Sequence, residues 1–233
     1  MNKEDFLIYL EKDELPNYIE VKNAVDSLTT YDKKKILDEI STYYSKSGNQ
    51  SFAERNGKKL RLSYQLLNKE FVENLADEIK KLNPKKVIEL NAGVGYLSRF
   101  LQRYGIDIIP TDSHNWNFDY NEDVEKLTYE QALEKYNPDV VIQSWEMPGA
   151  KGSIKSLEYP SVRHLIWIGE KGNCGSGDLF DYSHRILERV GKYSLSINDI
   201  LYRSHGDPCI GIWKGLKDED GKIHSKEIQQ VHA

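Results

Sequence analysis

The sequence predicts an α/β fold: a mostly parallel sheet with helices on both faces, an antiparallel C-terminal hairpin, and a helical N-terminal cap. Three observations carry this. From about Lys85 onward, short apolar runs alternate with amphipathic stretches, and strands that are apolar throughout belong to a sheet buried on both faces. Before Pro84 the apolar residues recur at helical spacing, with no convincing strand. Near the C-terminus, two strand-like runs, Lys192–Ser204 and Cys209–Gly215, are separated only by His205-Gly206-Asp207-Pro208. So short a link cannot hold a crossover helix, so the two runs should pair antiparallel.

The elements follow in order. Phe6, Leu7 and Leu10 share helical spacing ahead of Pro16. A second helix is expected over Ile19–Leu28, with Ile19, Ala24, Val25 and Leu28 on or near one face. A third carries Ile36, Leu37, Ile40 and Tyr44, with Thr30 or Asp32 as its cap. Ser45–Arg61 is polar and glycine-containing, hence a loop. Leu67, Phe71, Leu75, Ile79 and Leu82 then mark a long amphipathic helix over Leu66–Leu82, ended by Asn83-Pro84. Beyond it come a strand at Lys86–Leu90, a glycine turn, a helix at Tyr96–Tyr104, and a strand at Ile106–Asp112. A helix around Tyr129–Tyr136, strands at Asp139–Trp145 and Arg163–Glu170, and a helix at Asp178–Val190 complete the alternation. The expected organisation is a helical cap or lid over 1–65, the α/β domain over 66–216 and a charged tail over 217–233.

Composition narrows the function. With 233 residues, net charge −5 and 39% hydrophobic residues including 15 Tyr and 4 Trp, the chain can bury a full-sized core. The acidic balance disfavours a large nucleic-acid footprint, although a local basic strip is compatible with one. No stretch approaches the ~18 apolar residues of a membrane span, and the N-terminus lacks a signal-peptide pattern. Two cysteines, Cys174 and Cys209, cannot build a structural zinc site alone, and no metal is expected. A soluble, cytoplasmic protein is the expectation.

The chemistry starts at Val87-Ile88-Glu89-Leu90-Asn91-Ala92-Gly93-Val94-Gly95. A strand, a glycine turn and a helix N-terminus gather backbone N–H groups at the carboxyl end of the sheet, where glycines let a ligand approach closely. Asp112 closes the second strand, placed to accept hydrogen bonds from ribose hydroxyls. A dinucleotide turn is nearly matched by Gly93-x-Gly95-x-x-Ser98, but the carboxylate of Glu89 inside the strand suits a cationic or amino-bearing ligand better than a pyrophosphate.

The same run resembles motif I of class I S-adenosylmethionine-dependent methyltransferases, E/D-x-G-x-G-x-G, with Glu89, Asn91, Gly93 and Gly95 at the four pattern positions. Asn91 replaces the first glycine, and Asn visits the left-handed region more easily than most residues. Over roughly Leu66–Leu216 the resemblance implies a Rossmann-like, seven-stranded sheet with S-adenosyl-L-methionine as cofactor. It implies Glu89 at the methionine amino group, Asp112 at the ribose, and Asp123-Val124 flanking the adenine. Ser144-Trp145, in the run Ile142–Pro148 after the fourth strand, falls where such enzymes place cofactor-contacting groups. That run is neither an N/D-P-P-Y motif nor the acid-bearing position of a ribose 2′-O-methyltransferase, so no subfamily is implied.

Two further segments bear on an acceptor. Ile168–Asp178 holds four glycines and places Glu170 at the end of a strand, where an acid can orient or deprotonate an acceptor. A long structural turn is the equal alternative. His114, two residues after Asp112, is a candidate for the pocket wall. Arg55, Lys58, Lys59 and Arg61, just before Tyr64, form either a solvated face or a substrate-recruiting lid. The expected activity is methyl transfer to an acceptor, small molecule or macromolecule. A catalytically inactive binding module of the same shape is the first alternative, and a nicotinamide-dependent oxidoreductase the second.

Overall fold

The computed structural model describes residues 12, 14–36, 63–115, 120–201 and 208–217. The helix expected around Phe6–Leu10, the residues Leu37, Ile40 and Tyr44, the basic strip Arg55–Arg61 and nearly all of the tail after 216 lie outside them.

The first described helix, α1 (Tyr18–Ser27), opens on Asn17, whose side chain accepts from Glu20 N while Glu20 reaches back to the Asn17 backbone. It buries Val21, Ala24 and Val25, with Leu28 packed against the same core, so of the expected face only Ile19, 57% exposed, turns outward. The helical residues 30–36 are capped by Thr29, which exchanges hydrogen bonds with Asp32, and not by Thr30 or Asp32.

The long amphipathic helix, α2 (Lys69–Lys81), starts later than its apolar periodicity. Residues 65 and 66 are drawn into an antiparallel bridge with 195 and 196, and Asn68 caps the helix by accepting from Phe71 N at 2.9 Å. Glu70 in its first turn and Lys80 and Lys81 in its last complement the helix dipole. Phe71, Val72, Leu75 and Ile79 are fully buried. Asn83, at φ 47°, ends it before Pro84.

The sheet follows: β1 (Val87–Leu90), α3 (Tyr96–Arg103), β2 (Ile108–Asp112), β3 (Glu125–Lys126), α4 (Tyr129–Tyr136), β4 (Val140–Ser144), α5 (Gly152–Glu158) and β5 (His164–Gly169). Then come a 3₁₀ turn at Gly177–Asp181, β6 (His184–Ile186), α6 (Glu188–Gly191), α7 (Ile197–Leu201) and β7 (Cys209–Lys214). The strand order is β3-β2-β1-β4-β5-β7-β6, parallel except for β7, which runs antiparallel to both β5 and β6. This is a Rossmann-like seven-stranded sheet with an antiparallel C-terminal pair. Its order reverses between β1 and β4, and a crevice opens at the carboxyl ends on either side of such a switch point.

Alternate strand residues feed two separate cores. Val87, Val140, Ile142, Ile166, Ile168 and Ile210 pack on the face covered by α1, α2, α3 and α6. Ile88, Leu90, Val141, Leu165, Trp167 and Trp213 pack on the opposite face, under α4 and α5. Val21, Ala24, Val25 and Ile36 join the first of these cores, so the N-terminal helices share it with the sheet.

Two expectations fail at the C-terminal end. As far as residue 201, Lys192–Ser204 is not a strand: Ser196 donates its N–H and its hydroxyl to Asp199 Oδ2 while its Oγ accepts from Asn198 N, a Ser-x-x-Asp cap that makes Ile197–Leu201 helical. Nor is Asp178–Val190 one helix. His184–Ile186 inside it forms edge strand β6, with the His184 ring stacked on Trp213 at 4.7 Å and Arg185 paired to Glu78 of α2 at 2.8 Å. The antiparallel partner of β7 therefore comes from before the expected segment. Between the expected strands Asp139–Trp145 and Arg163–Glu170, where no helix is expected, lies α5.

Candidate functional site

Everything at the site is hung on the turn after β1. Asn91, Gly93 and Gly95 all adopt left-handed φ, at 55°, 55° and 86°. Ala92 N donates to Thr111 O of β2, and Gly95 N to Ala92 O, so the turn is tied to the neighbouring strand. Its two glycines differ in need. A Cβ on Gly93 meets nothing within 4 Å among the described residues, which leaves the backbone there open to a ligand on their side. A Cβ on Gly95 would fall 2.6 Å from Val124 Cγ2, so Gly95 allows the loop before β3 to close against α3. Asn121 completes that closure by donating its side-chain N–H to Val94 O.

Asp112 ends β2 beside this turn, 6% exposed. Its Oδ2 accepts from Gly93 N at 3.0 Å and its Oδ1 from His114 N at 2.9 Å. Burial raises its pKa above the ordinary carboxylate value despite those two donors. The His114 ring stacks on Tyr120 at 3.7 Å, above the same strand end. Val124 is buried, whereas Asp123 is exposed.

Glu89 is the deepest group. It points to the α3 side of β1, 1% exposed. Ser98 donates to its Oε2 through N (3.2 Å) and Oγ (2.5 Å), and Ser144 Oγ donates to its Oε1 at 3.1 Å. Burial pushes its pKa up to about 7, against the pull of these donors, and the Asp112 charge acts in the same direction. Glu89 thus ties α3 to the end of β4.

At that end the chain makes an unusual move. Trp145 takes φ 52°, a conformation that costs a residue with a bulky side chain about 1–3 kcal/mol. Its N–H donates to Ile168 O at 2.7 Å, its indole Nε1 to Gln65 Oε1 at 3.1 Å, and its ring lies 4.6 Å from that of Tyr64. Tyr64 Oη in turn donates to Asn198 Oδ1, and Asn198 Nδ2 to Glu170 Oε1 at 2.7 Å. Asn173 Nδ2 holds the other Glu170 oxygen at 3.1 Å. Glu170 is 1% exposed and satisfied by two neutral amides.

The structure thus gathers Asn91, Gly93, Gly95, Asp112, His114 and Val124 around the β1 turn, ties Glu89 beneath it to Ser144, and joins Trp145 to Glu170 through Tyr64 and Asn198. Sequence reasoning missed Gln65, Asn198 and Glu146. Gln65 falls at the end of the expected cap, one residue before the expected helix, and Asn198 in an expected strand, though Ser196-x-x-Asp199 is a readable cap signal. Glu146, also buried, binds Ser153 of α5 through its backbone and hydroxyl groups, and burial raises its pKa too. Glu89, Asp112, Glu146 and Glu170 therefore stand buried at successive strand ends, none of them in an ion pair among the described residues. No trio of His, Cys, Asp or Glu placed to hold a metal occurs among those residues, and no described helix is long and apolar enough to cross a membrane.

Comparison with protein families finds no match, and none is found among curated proteins. Solved structures do match. The methyltransferase domain of bacterial CtHen1 is 14% identical with a TM-score of 0.35, over 62% of this chain and 97% of that one. Human N-acetylserotonin methyltransferase, in complex with SAM, is 10% identical with a TM-score of 0.39, over 91% of this chain and 66% of that one. PigF with SAH is 8% identical with a TM-score of 0.35, over 92% and 93%. At such identities and TM-scores the likeness is loose, and the functional reading rests on the chain's own residues.

Proposed function

We propose that the chain binds S-adenosyl-L-methionine at the β1 turn and transfers its methyl group to an acceptor, small molecule or macromolecule. The observation that carries this is the joining of Gly93 N–H to the buried Asp112 carboxylate, beside a backbone that nothing covers. Asp112 keeps lone pairs for ribose hydroxyls, and Gly93 leaves room for the ligand. Val124 and His114 flank the place of the base, with Asp123 at its exposed rim. Bound there, the cofactor supplies an already activated sulfonium methyl group. The protein's task is then chiefly to hold acceptor and cofactor in line. Ser144 and Glu89 fix the floor of the crevice, while Trp145 and Glu170 stand toward the acceptor. Asp112 beside the β1 turn and Glu89 beneath it, buried without cationic partners among the described residues, favour a positively charged ligand over a pyrophosphate, which speaks against the nicotinamide reading. The soluble, cytoplasmic setting and the cap-and-domain division at residue 65 belong to the same proposal.

The test is calorimetric titration of the whole protein with S-adenosylhomocysteine, with NADH as control. Binding of the first alone, lost in Asp112→Ala, is the expected result; preference for NADH would overturn the reading. A second reading, a non-catalytic binding module, is favoured by one observation: both oxygens of Glu170, the better-placed acid, are already taken by Asn173 and Asn198. Cofactor binding with no methyl transfer to any of a broad set of acceptors, in the same preparation, would favour it.

A further inference from the structure

The strap before α2 is a poor fit to a merely connecting role. Gln65 is 2% exposed and uses its whole amide: Oε1 accepts from Trp145 Nε1 at 3.1 Å, and Nε2 donates to Ser194 Oγ at 3.0 Å and Leu195 O at 2.9 Å. The neighbouring backbone is pinned as well, by Leu66 N to Leu195 O at 2.8 Å and Ile197 N to Tyr64 O at 2.9 Å. The strap therefore has one position relative to 194–198, and both Tyr64 and Gln65 spend side chains on Trp145. Trp145, for its part, is held at left-handed φ at the carboxyl end of β4, beside Ser144, which holds Glu89. A strained residue locked by three groups from two distant segments marks a ring whose orientation matters.

We infer that Gln65 and Tyr64 are positioning residues for Trp145, whose ring forms the wall of the cofactor crevice at the β4 end. The crevice is thus completed by residues that precede the α/β alternation. The Gln65 amide sets the direction of the indole through its N–H, and the Tyr64 ring blocks its rotation away from the crevice. Neither touches the ligand; both act through Trp145. The inference rests on the methyltransferase reading, because it takes the β4 end as part of that ligand's site.

A double-mutant cycle on S-adenosylhomocysteine affinity, measured by calorimetry on the whole protein, tests it. Trp145→Phe and Gln65→Leu are each expected to weaken binding about tenfold, the order of one buried hydrogen bond in a ligand-facing position. Combined, they should weaken it no further than the larger single effect. A merely structural Gln65 gives additive losses instead, and that result overturns the inference. Trp145→Phe that leaves affinity unchanged also overturns it. Tyr64→Leu, at a half-buried position, supplies the same cycle if Gln65→Leu fails to fold. Wild-type protein that binds no S-adenosylhomocysteine removes the methyltransferase reading itself, which the cycle distinguishes from failure of the coupling alone. As a spectroscopic readout, the Trp145 contribution, taken as wild-type minus Trp145→Phe emission, should respond to the ligand in wild type and lose that response in Gln65→Leu.

Discussion

Val124 Cγ2 lies where a side chain on Gly95 would have to go, 2.6 Å from its would-be Cβ. At φ 86° the same residue also sits in a backbone region hostile to L side chains. Gly95→Ala should therefore lose about 2 kcal/mol of stability, read as a lower urea midpoint. Gly93→Ala, with open space around it, should lose only about 1 kcal/mol from its φ. Ligand affinity should order the other way per unit of stability lost, since Gly93 is the open approach. Equal losses of stability in the two variants would contradict the packing described.

The buried Glu89 makes stability depend on pH in an uncommon direction. Its carboxyl titrates near 4.5 when unfolded and at about 7 when folded, so between these values the folded chain holds the extra proton. Stability should fall as pH rises from about 4.5 through about 7 and level off above, by up to about 3 kcal/mol. Asp112 and Glu146, also raised, add in the same sense. Glu89→Gln keeps the shape and removes the charge, so its urea midpoints at pH 5 and pH 8 should differ less than those of wild type. An unchanged difference would mean that Glu89 is ionised throughout.

Asp139 acts at the opposite, acidic end. Burial alone would raise its pKa, but Lys85 N–H, the Arg163 guanidinium and Lys86 N–H outweigh it and hold the carboxyl below its ordinary value. The stabilisation is present above the unfolded value near 3.8 and is lost as pH falls through the folded one. Asp139→Asn should cost about 1–2 kcal/mol at pH 7, and the cost should shrink as pH is lowered below about 3.8, in urea titrations across that range.

At Asp112, the side chain holds Gly93 and also faces the ligand. Asp112→Asn retains an acceptor for only one of its two backbone donors, so affinity for S-adenosylhomocysteine should fall by about tenfold or more. Thermal stability should change little, because loss of a raised-pKa carboxylate removes its desolvation cost. A large fall in melting temperature with unaltered affinity would make Asp112 a structural residue.

Much of this was legible because single residues carried strong local signals. The buried strands β1, β2, β4 and β5 were visible as apolar runs, and the Asn91–Gly95 turn as a glycine pattern whose φ angles the structure bears out. Asn137, by contrast, ends α4 in the left-handed region without glycine, and that helix spans Tyr129–Tyr136 as expected. What failed was decided by tertiary partners. His184–Ile186 is a strand because β7 and Trp213 stand beside it, not because its own residues alternate. Leu66 and Leu67 fit a helical stripe, but residues 65 and 66 are taken by a bridge to 195 and 196. Ile197–Leu201 has strand-like composition, and a two-residue cap overrode it. The coupling of Gln65 to Trp145 was invisible, since nothing in local sequence relates positions so far apart.

The place of β7 has a consequence for how the chain is made. It is the last of the described strands to leave the ribosome, yet it lies inside the sheet, between β5 and β6. Until residue 214 has emerged, β5 presents a bare edge rich in isoleucine and tryptophan, and β6 has no strand to pair with. Such an edge invites pairing with other nascent chains. Synthesis of β7, more than of any strand before it, decides whether each chain closes its own sheet.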